Sequence, residues 1–187
     1  MNNRSYSDQR VQIMYEWFEK GEDAYNKKNA FEAFIYLWIS WVVACKINLG
    51  NNKTYSSYVQ KDLDDRKIIT EWCKNYAPEV RDCISDNMKH LKPLGTRVGS
   101  HFKNPIVDSS KNLQEKFTQL SKFFNGNEIY KYDDELTVDF AELLNKIRNN
   151  LFHGNKSYDN RDDKQLLEAV LPVLKDITLL AIESTNN

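Results

Sequence analysis

Apolar positions recur along this chain at helical spacing, and they lay out a series of helices. Over residues 8–28, Val11, Met14, Phe18 and Tyr25 fall on one stripe, with Gly21 weakening the middle of the predicted helix. Residues 31–49 are apolar nearly all round, the pattern of a central helix, and Gly50-Asn51-Asn52 is its expected stop. Two further helices are predicted over residues 62–76 and 78–90, the second opening with Pro78. Residues 91–110 carry Pro93, Gly95, Gly99 and Pro105 and read as a long loop, with an extended piece near Ile106-Val107. A helix over 110–124 is expected to stop at Asn125-Gly126-Asn127. Another over 135–152 shows Leu136, Phe140, Leu143, Leu144, Ile147 and Leu151 on one face, with Gly154 as its stop. Residues 158–163 read as polar loop. The last helix carries Leu166, Leu167, Val170, Leu174, Ile177 and Ala181, and Pro172 predicts a kink or a start in two pieces. Strand signals are weak and no repeat or low-complexity tract is visible, so the pattern predicts an all-α fold in one domain spanning residues 1–187.

Composition narrows the options. A chain of 187 residues can bury a substantial core. Its 26 basic and 27 acidic residues nearly cancel, so no global field draws it to nucleic acid or membrane, and any RNA site must be local. Cys45, Cys73 and Cys83 make an odd number without a CxxC pair, which fits a reducing, cytoplasmic setting. The first ten residues are polar, so no signal peptide is expected. The most hydrophobic segment, residues 33–45, runs for about 13 residues before Lys46, short of the roughly 20 that a membrane span needs, and is expected to be a buried core helix.

The stretch Ile147-Arg148-Asn149-Asn150-Leu151-Phe152-His153-Gly154-Asn155-Lys156 holds the candidate chemistry. Arg148 brings a permanent cation with a fork of N–H donors, and His153 can exchange a proton near neutral pH. Together they suit a phosphodiester: the arginine neutralises it and the histidine moves the proton. Asn149 and His153, four positions apart, share the polar face of the helix. On a regular helix Arg148 and His153 are about 140° apart, so one phosphate touches both only if the backbone turns near residues 152–154 or if two chains build the site. The helix carbonyls ending at His153 favour its protonated form. The same residues also fit plain carbonyl capping at a helix end.

This stretch resembles the signature of the HEPN superfamily, an arginine and a histidine four to six residues apart with a polar residue after the arginine. The glycine that follows His153 is similar to the Apea-like bacterial branch. Far upstream, Phe34-Ile35-Tyr36-Leu37-Trp38-Ile39-Ser40-Trp41 resembles the aromatic helix common in that branch. The resemblance implies a HEPN-like helical bundle that dimerises; residues 51–110 match no pattern of the family and read as an additional family-specific insertion or a substrate-contacting element. It implies a metal-independent endoribonuclease acting as a toxin or antiphage-defence effector, with no cofactor, no metal site and an antitoxin or regulatory partner. By position Arg148, Asn149 and His153 take the catalytic roles. Lys156 and Asn150 are substrate contacts suggested by their closeness to the motif. The alternative is a non-catalytic HEPN-like module that binds RNA, nucleotide or a protein partner, favoured by the near-neutral charge. A tyrosine two residues after the histidine marks some HEPN toxins as modification targets. Asn155 stands there instead, with Tyr158 the nearest tyrosine.

Other groupings carry less. Cys73, Cys83, His90 and His101 lack the paired short spacing of zinc modules. Gly95-Thr96-Arg97-Val98-Gly99-Ser100 lacks the lysine placement and preceding strand of a phosphate loop, although Arg97, His101 and Lys103 give it positive charge for an RNA backbone. Trp38 and Trp41 could stack on bases, but their place in the apolar helix predicts core packing. Asp159, Asp162 and Asp163 read as a solvated loop and helix cap.

Overall fold

The computed structural model describes residues 3–51, 64–95, 111–127, 129–152 and 161–186. These form eight α-helices and two short 3₁₀ turns, with no strand among the described residues, so the fold is all-α. The helices are α1 (Asn3–Asn26), α2 (Ala30–Asn51), α3 (Asp65–Asn75), α4 (Ala77–Asp86), α5 (Met88–Leu91), α6 (Lys111–Phe124), α7 (Asp133–Phe152) and α8 (Arg161–Glu183). The 3₁₀ turns are Lys92–Leu94 and Ser184–Asn186.

Helix α2 is central because it is apolar on almost every side. Ala33, Phe34, Leu37, Trp38, Trp41, Val42, Ala44, Cys45 and Leu49 are all buried. Helix α1 packs along one side of it and α8 along another, with α3 touching a third. By length and composition Ala30–Gly50 is long and apolar enough to cross a membrane, because Ile47 and Leu49 extend the apolar run past Lys46. The length expected for this segment was therefore too short. Its buried place among α1, α3 and α8 accounts for its apolarity as a core helix. Trp38 and Trp41 meet edge to face at 5.5 Å, and Trp41 meets Trp72 of α3 likewise at 6.4 Å, so the tryptophans are core.

Gly21 differs from its expected role. A Cβ on this residue would lie 2.8 Å from Cγ and Cδ2 of Leu37 and 3.2 Å from the Leu37 amide nitrogen. The glycine lets α1 and α2 approach closely rather than simply weakening α1. One turn away the Ser40 hydroxyl donates to the Met14 carbonyl at 2.9 Å, fixing the same pair. Helix α1 ends with Lys28 at a positive φ of 59°. The Lys28 amide donates to Tyr25 and the Asn29 amide to Ala24, a Schellman closure built on a lysine. Helix α6 ends the same way with Gly126 at 73°, as its Asn-Gly-Asn stop predicts.

Helix α7 packs against α3, α4 and α6 on the other side of the core. Asp133, Asp134 and Glu135 in its first turn complement the helix dipole. Within residues 51–110, the described stretch 64–95 buries Ile68, Ile69, Trp72, Val80, Ile84, Leu91 and Leu94 in the same core as α2 and α7. The helix expected over 78–90 is instead two, broken at Asn87. The Asn87 amide side chain donates to the Cys83 carbonyl at 2.9 Å and to Asp176 of α8 at 2.6 Å, so a side chain competes with the backbone ladder there.

Helix α8 runs through Pro172 without a break. It starts at Arg161, so the expected loop through residue 163 is shorter, and Asp163 is buried in the first turn. The Asn48 amide donates to the Ala181 carbonyl at 2.9 Å and Lys175 pairs with Glu22 at 2.7 Å, tying α8 to α2 and α1. The extended piece at Ile106-Val107, the Gly95–Ser100 loop beyond Gly95, and the stop at Gly154 lie outside the described residues.

Candidate active site at the end of helix α7

Ile147 and Leu151 are buried and anchor the last turns of α7 in the core. Their register brings Arg148 to the margin of the apolar face, where its side chain is 33 % exposed. The guanidinium has four distinct environments. Nη1 donates to Oδ1 of Asn149 at 2.9 Å. The group lies over the Phe152 ring, 4.6 Å from its centroid. Nη2 stands 3.9 Å from Oδ2 of Asp65, in the first turn of α3. Nε is shut off from water and has no hydrogen-bond partner among the described residues.

Asp65 links this arginine to a second cation. Its Oδ1 is 3.2 Å from Nζ of Lys46 on α2, so one carboxylate lies between Lys46 and Arg148. Asp65 is placed there by the start of α3. Asp64 caps that helix, its Oδ1 accepting from the Lys67 amide at 2.9 Å. A little further along, Arg66 pairs with Glu142 of α7 at 2.7 Å and holds α3 against α7.

The motif residues therefore separate. Arg148 and Asn149 are joined by a hydrogen bond, so the described partner of Asn149 is the arginine. Asn150, expected to contact substrate, is only 5 % exposed, and its side-chain oxygen has no partner among the described residues. Its place at the edge of the inward face of α7, beside Leu143 at helical spacing, explains the burial. His153 and Lys156 lie outside the described residues, as do Asn155, Tyr158 and Asp159. Sequence reasoning missed three neighbours. Phe152 is a 56 % exposed aromatic beside the arginine, and its position next to the motif was the available signal. Lys46 and Asp65 are distant in sequence and carry no local pattern that marks them.

A second polar cluster lies toward the other end of α7. Lys116 of α6 reaches Asp139 at 3.2 Å and Glu142 at 3.4 Å, and the Tyr130 hydroxyl donates to Asp139 at 3.1 Å. Burial pushes the Asp139 carboxyl above its ordinary range, outweighing the opposing pull of Lys116 and Tyr130, with Glu142 adding to the rise. Burial works against the Lys116 charge, but Asp139 and Glu142 together raise its pKa. The cluster borders a cleft of about 410 Å³ that Lys74, Glu115, Asp134 and Glu135 also line. Within the cluster, Lys116 is shared by Asp139 and Glu142. Among the described residues, no group of three His, Cys, Asp or Glu side chains could hold a metal ion. Cys45 and Cys73 are buried, and His90 is exposed.

Compared with protein-family models, curated proteins and solved structures, the chain gives no match.

Proposed function

We propose that this protein is a metal-independent endoribonuclease of the HEPN type, working as a homodimer in which Arg148 and His153 from both chains face the RNA. The observation that carries the reading is the Arg148-Asn149-Asn150-Leu151-Phe152-His153-Gly154 motif at the end of a helix in an all-α chain. The state of Arg148 supports it. The guanidinium is oriented by Asn149 and Phe152, its side chain is one-third exposed, and its buried Nε has no partner among the described residues. A fixed, partly exposed cation suits the charge that builds up on a phosphate in transesterification.

In this reaction the ribose 2′-oxygen attacks the neighbouring phosphorus and gives its proton to a base. The P–O5′ bond breaks, and the leaving oxygen takes a proton from an acid. The products are a 2′,3′-cyclic phosphate and a 5′-hydroxyl. His153 of one protomer serves as base and that of the other as acid. Arg148 stabilises the phosphorane-like charge, and Asn149 holds Arg148 in place. Phe152 offers an exposed ring on which a base beside the scissile phosphate can stack. An antitoxin or other regulatory partner would restrain such an activity in a toxin or antiphage-defence setting. Purified Arg148→Ala and His153→Ala variants are expected to fold and to lose cleavage of cellular RNA. Undiminished cleavage by both would overturn the assignment. Stable RNA binding without turnover by wild type would favour a non-catalytic HEPN-like module.

A further inference from the structure

We propose that Lys46 is a second phosphate-contacting cation of this site, and that Asp65 is a resident anion seated between Lys46 and Arg148 until an RNA phosphate displaces it. The inference rests on the reading of Arg148 as an RNA-binding residue and extends it to two residues outside the motif.

The geometry of the carboxylate is the starting point. Its two oxygens face two different cations, Oδ1 toward Lys46 at 3.2 Å and Oδ2 toward Arg148 at 3.9 Å. A contact of 3.9 Å is an ion pair but is too long for a hydrogen bond. Asp65 therefore neutralises Arg148 without consuming its donors. Nη1 is already used on Asn149. Nε–H and one N–H of Nη2 point along the same edge of the guanidinium, the edge that grips phosphates and carboxylates through two parallel bonds. Among the described residues Nε has no acceptor and is shut off from water, and Nη2 has only the long approach to Asp65. An orphaned buried donor is costly, and an oxygen taken up by Nη2 as Asp65 turns away would satisfy Nε as well once the guanidinium shifts outward. An RNA phosphodiester supplies two non-bridging oxygens, one for this edge of Arg148 and one for Lys46.

The three groups are also placed so that the exchange is feasible. Lys46, Asp65 and Arg148 are each about one-third exposed, at 38 %, 34 % and 33 %. They come from α2, α3 and α7, so the anion position is fixed by three packed helices. Asp65 lies in the first turn of α3, where the helix dipole favours a carboxylate even after it turns from the cations. Phosphate thus replaces Asp65 between Lys46 and Arg148 without stranding a charge. The arrangement also limits adventitious anion binding, because every incoming anion competes with a tethered one.

The test uses the full-length protein and a single-stranded RNA whose 2′-oxygens are methylated, so that it binds and cannot be cut. Affinity is read by fluorescence anisotropy across a salt series, and folding by circular dichroism. Asp65→Asn should bind tighter than wild type by about tenfold, the order expected for removing one competing charge. Lys46→Gln should bind several-fold weaker and lower the slope of log K against log salt by about 0.7, one phosphate contact on a single strand. Lys46→Arg keeps the charge and should bind like wild type, which separates lost charge from lost packing. Equal affinities and salt slopes for wild type, Asp65→Asn and Lys46→Gln would overturn the proposal, as would weaker binding by Asp65→Asn. Parallel assays on unmodified RNA keep the two readings apart. Cleavage that needs Arg148 and His153 but is indifferent to Lys46 and Asp65 leaves the ribonuclease standing and removes this inference. Binding shifts as expected without cleavage by any protein retain the anion site and remove the ribonuclease.

Discussion

Gly21→Ala pits helix propensity against packing, and the structure gives both magnitudes. Gly21 lies inside α1, where alanine gains about 1 kcal/mol of intrinsic helix stability. Against this, the new Cβ would stand 2.8 Å from Cγ and Cδ2 of Leu37 and 3.2 Å from its amide nitrogen. Carbon atoms prefer roughly 3.5–4.0 Å, so the two side-chain contacts are well inside the repulsive wall. Leu37 is fully buried in the core, and the amide nitrogen belongs to the backbone of α2. Relief requires the helices to separate, which stretches the 2.9 Å bond from Ser40 to Met14. Overpacking of this kind costs about 1–3 kcal/mol. The clash wins, for a net loss of about 1 kcal/mol and a fall in Tm of about 2–4 °C. Urea and thermal melts of wild type, Gly21→Ala, Leu37→Ala and the double variant make the check. The double-mutant cycle should show that alanine at 21 costs less when residue 37 is alanine, because only the 3.2 Å approach to the backbone nitrogen then remains. Higher stability of Gly21→Ala in the wild-type background would refute the reasoning, because propensity alone would then govern the site.

Three further outcomes follow from single features. Lys28 holds a left-handed conformation that glycine adopts without strain, so Lys28→Gly should raise stability by about 1 kcal/mol in a urea melt, and a lower midpoint would contradict that. Burial, then Asp176, Asp86 and Asp82, pushes the Cys83 thiol up to about 11, so a thiol reagent at pH 8 should modify it about a hundredfold more slowly than a free thiol. Cys45 and Cys73, raised by burial, should react only on unfolding, and fast labelling of all three at native pH would count against the packing. Because the folded pKa of Asp139 lies above its unfolded value, its contribution to stability is greatest below the unfolded pKa and is lost as pH rises through the folded one. The stability of wild type relative to Asp139→Asn should therefore improve from pH 7 toward pH 4.5 in paired urea melts, and a flat or opposite trend would contradict the burial.

What the sequence made legible was what periodicity encodes. The face of Leu136, Phe140, Leu143, Leu144, Ile147 and Leu151 located α7, and unbroken apolarity located α2 as the centre of the core. The Asn-Gly-Asn stop of α6 was readable because glycine chemistry is local. The misreadings occur where tertiary contacts override local signals. Asn87 breaks a helix because Asp176, far along the chain, accepts from its side chain. Gly21 is set by Leu37 on another helix, and the Schellman closure at Lys28 lacks the glycine that marks such turns. For the candidate site, the motif and its place at a helix end were legible. Burial of Asn150 follows from the same periodicity, since at 100° per residue it falls about 20° from Leu143, at the edge of the inward face. Lys46 and Asp65 were not legible, because only the packing of α2, α3 and α7 brings them to Arg148.

The most direct test of the account is to incubate wild type, Arg148→Ala and His153→Ala with total cellular RNA in EDTA and to map the cut ends. Cuts that carry 2′,3′-cyclic phosphate and 5′-hydroxyl ends, made by wild type and absent in both variants, are the predicted result. Cleavage that persists in both variants would contradict the assignment of Arg148 and His153 to the chemistry, and the absence of cleavage by folded, dimeric wild type would contradict the enzyme itself.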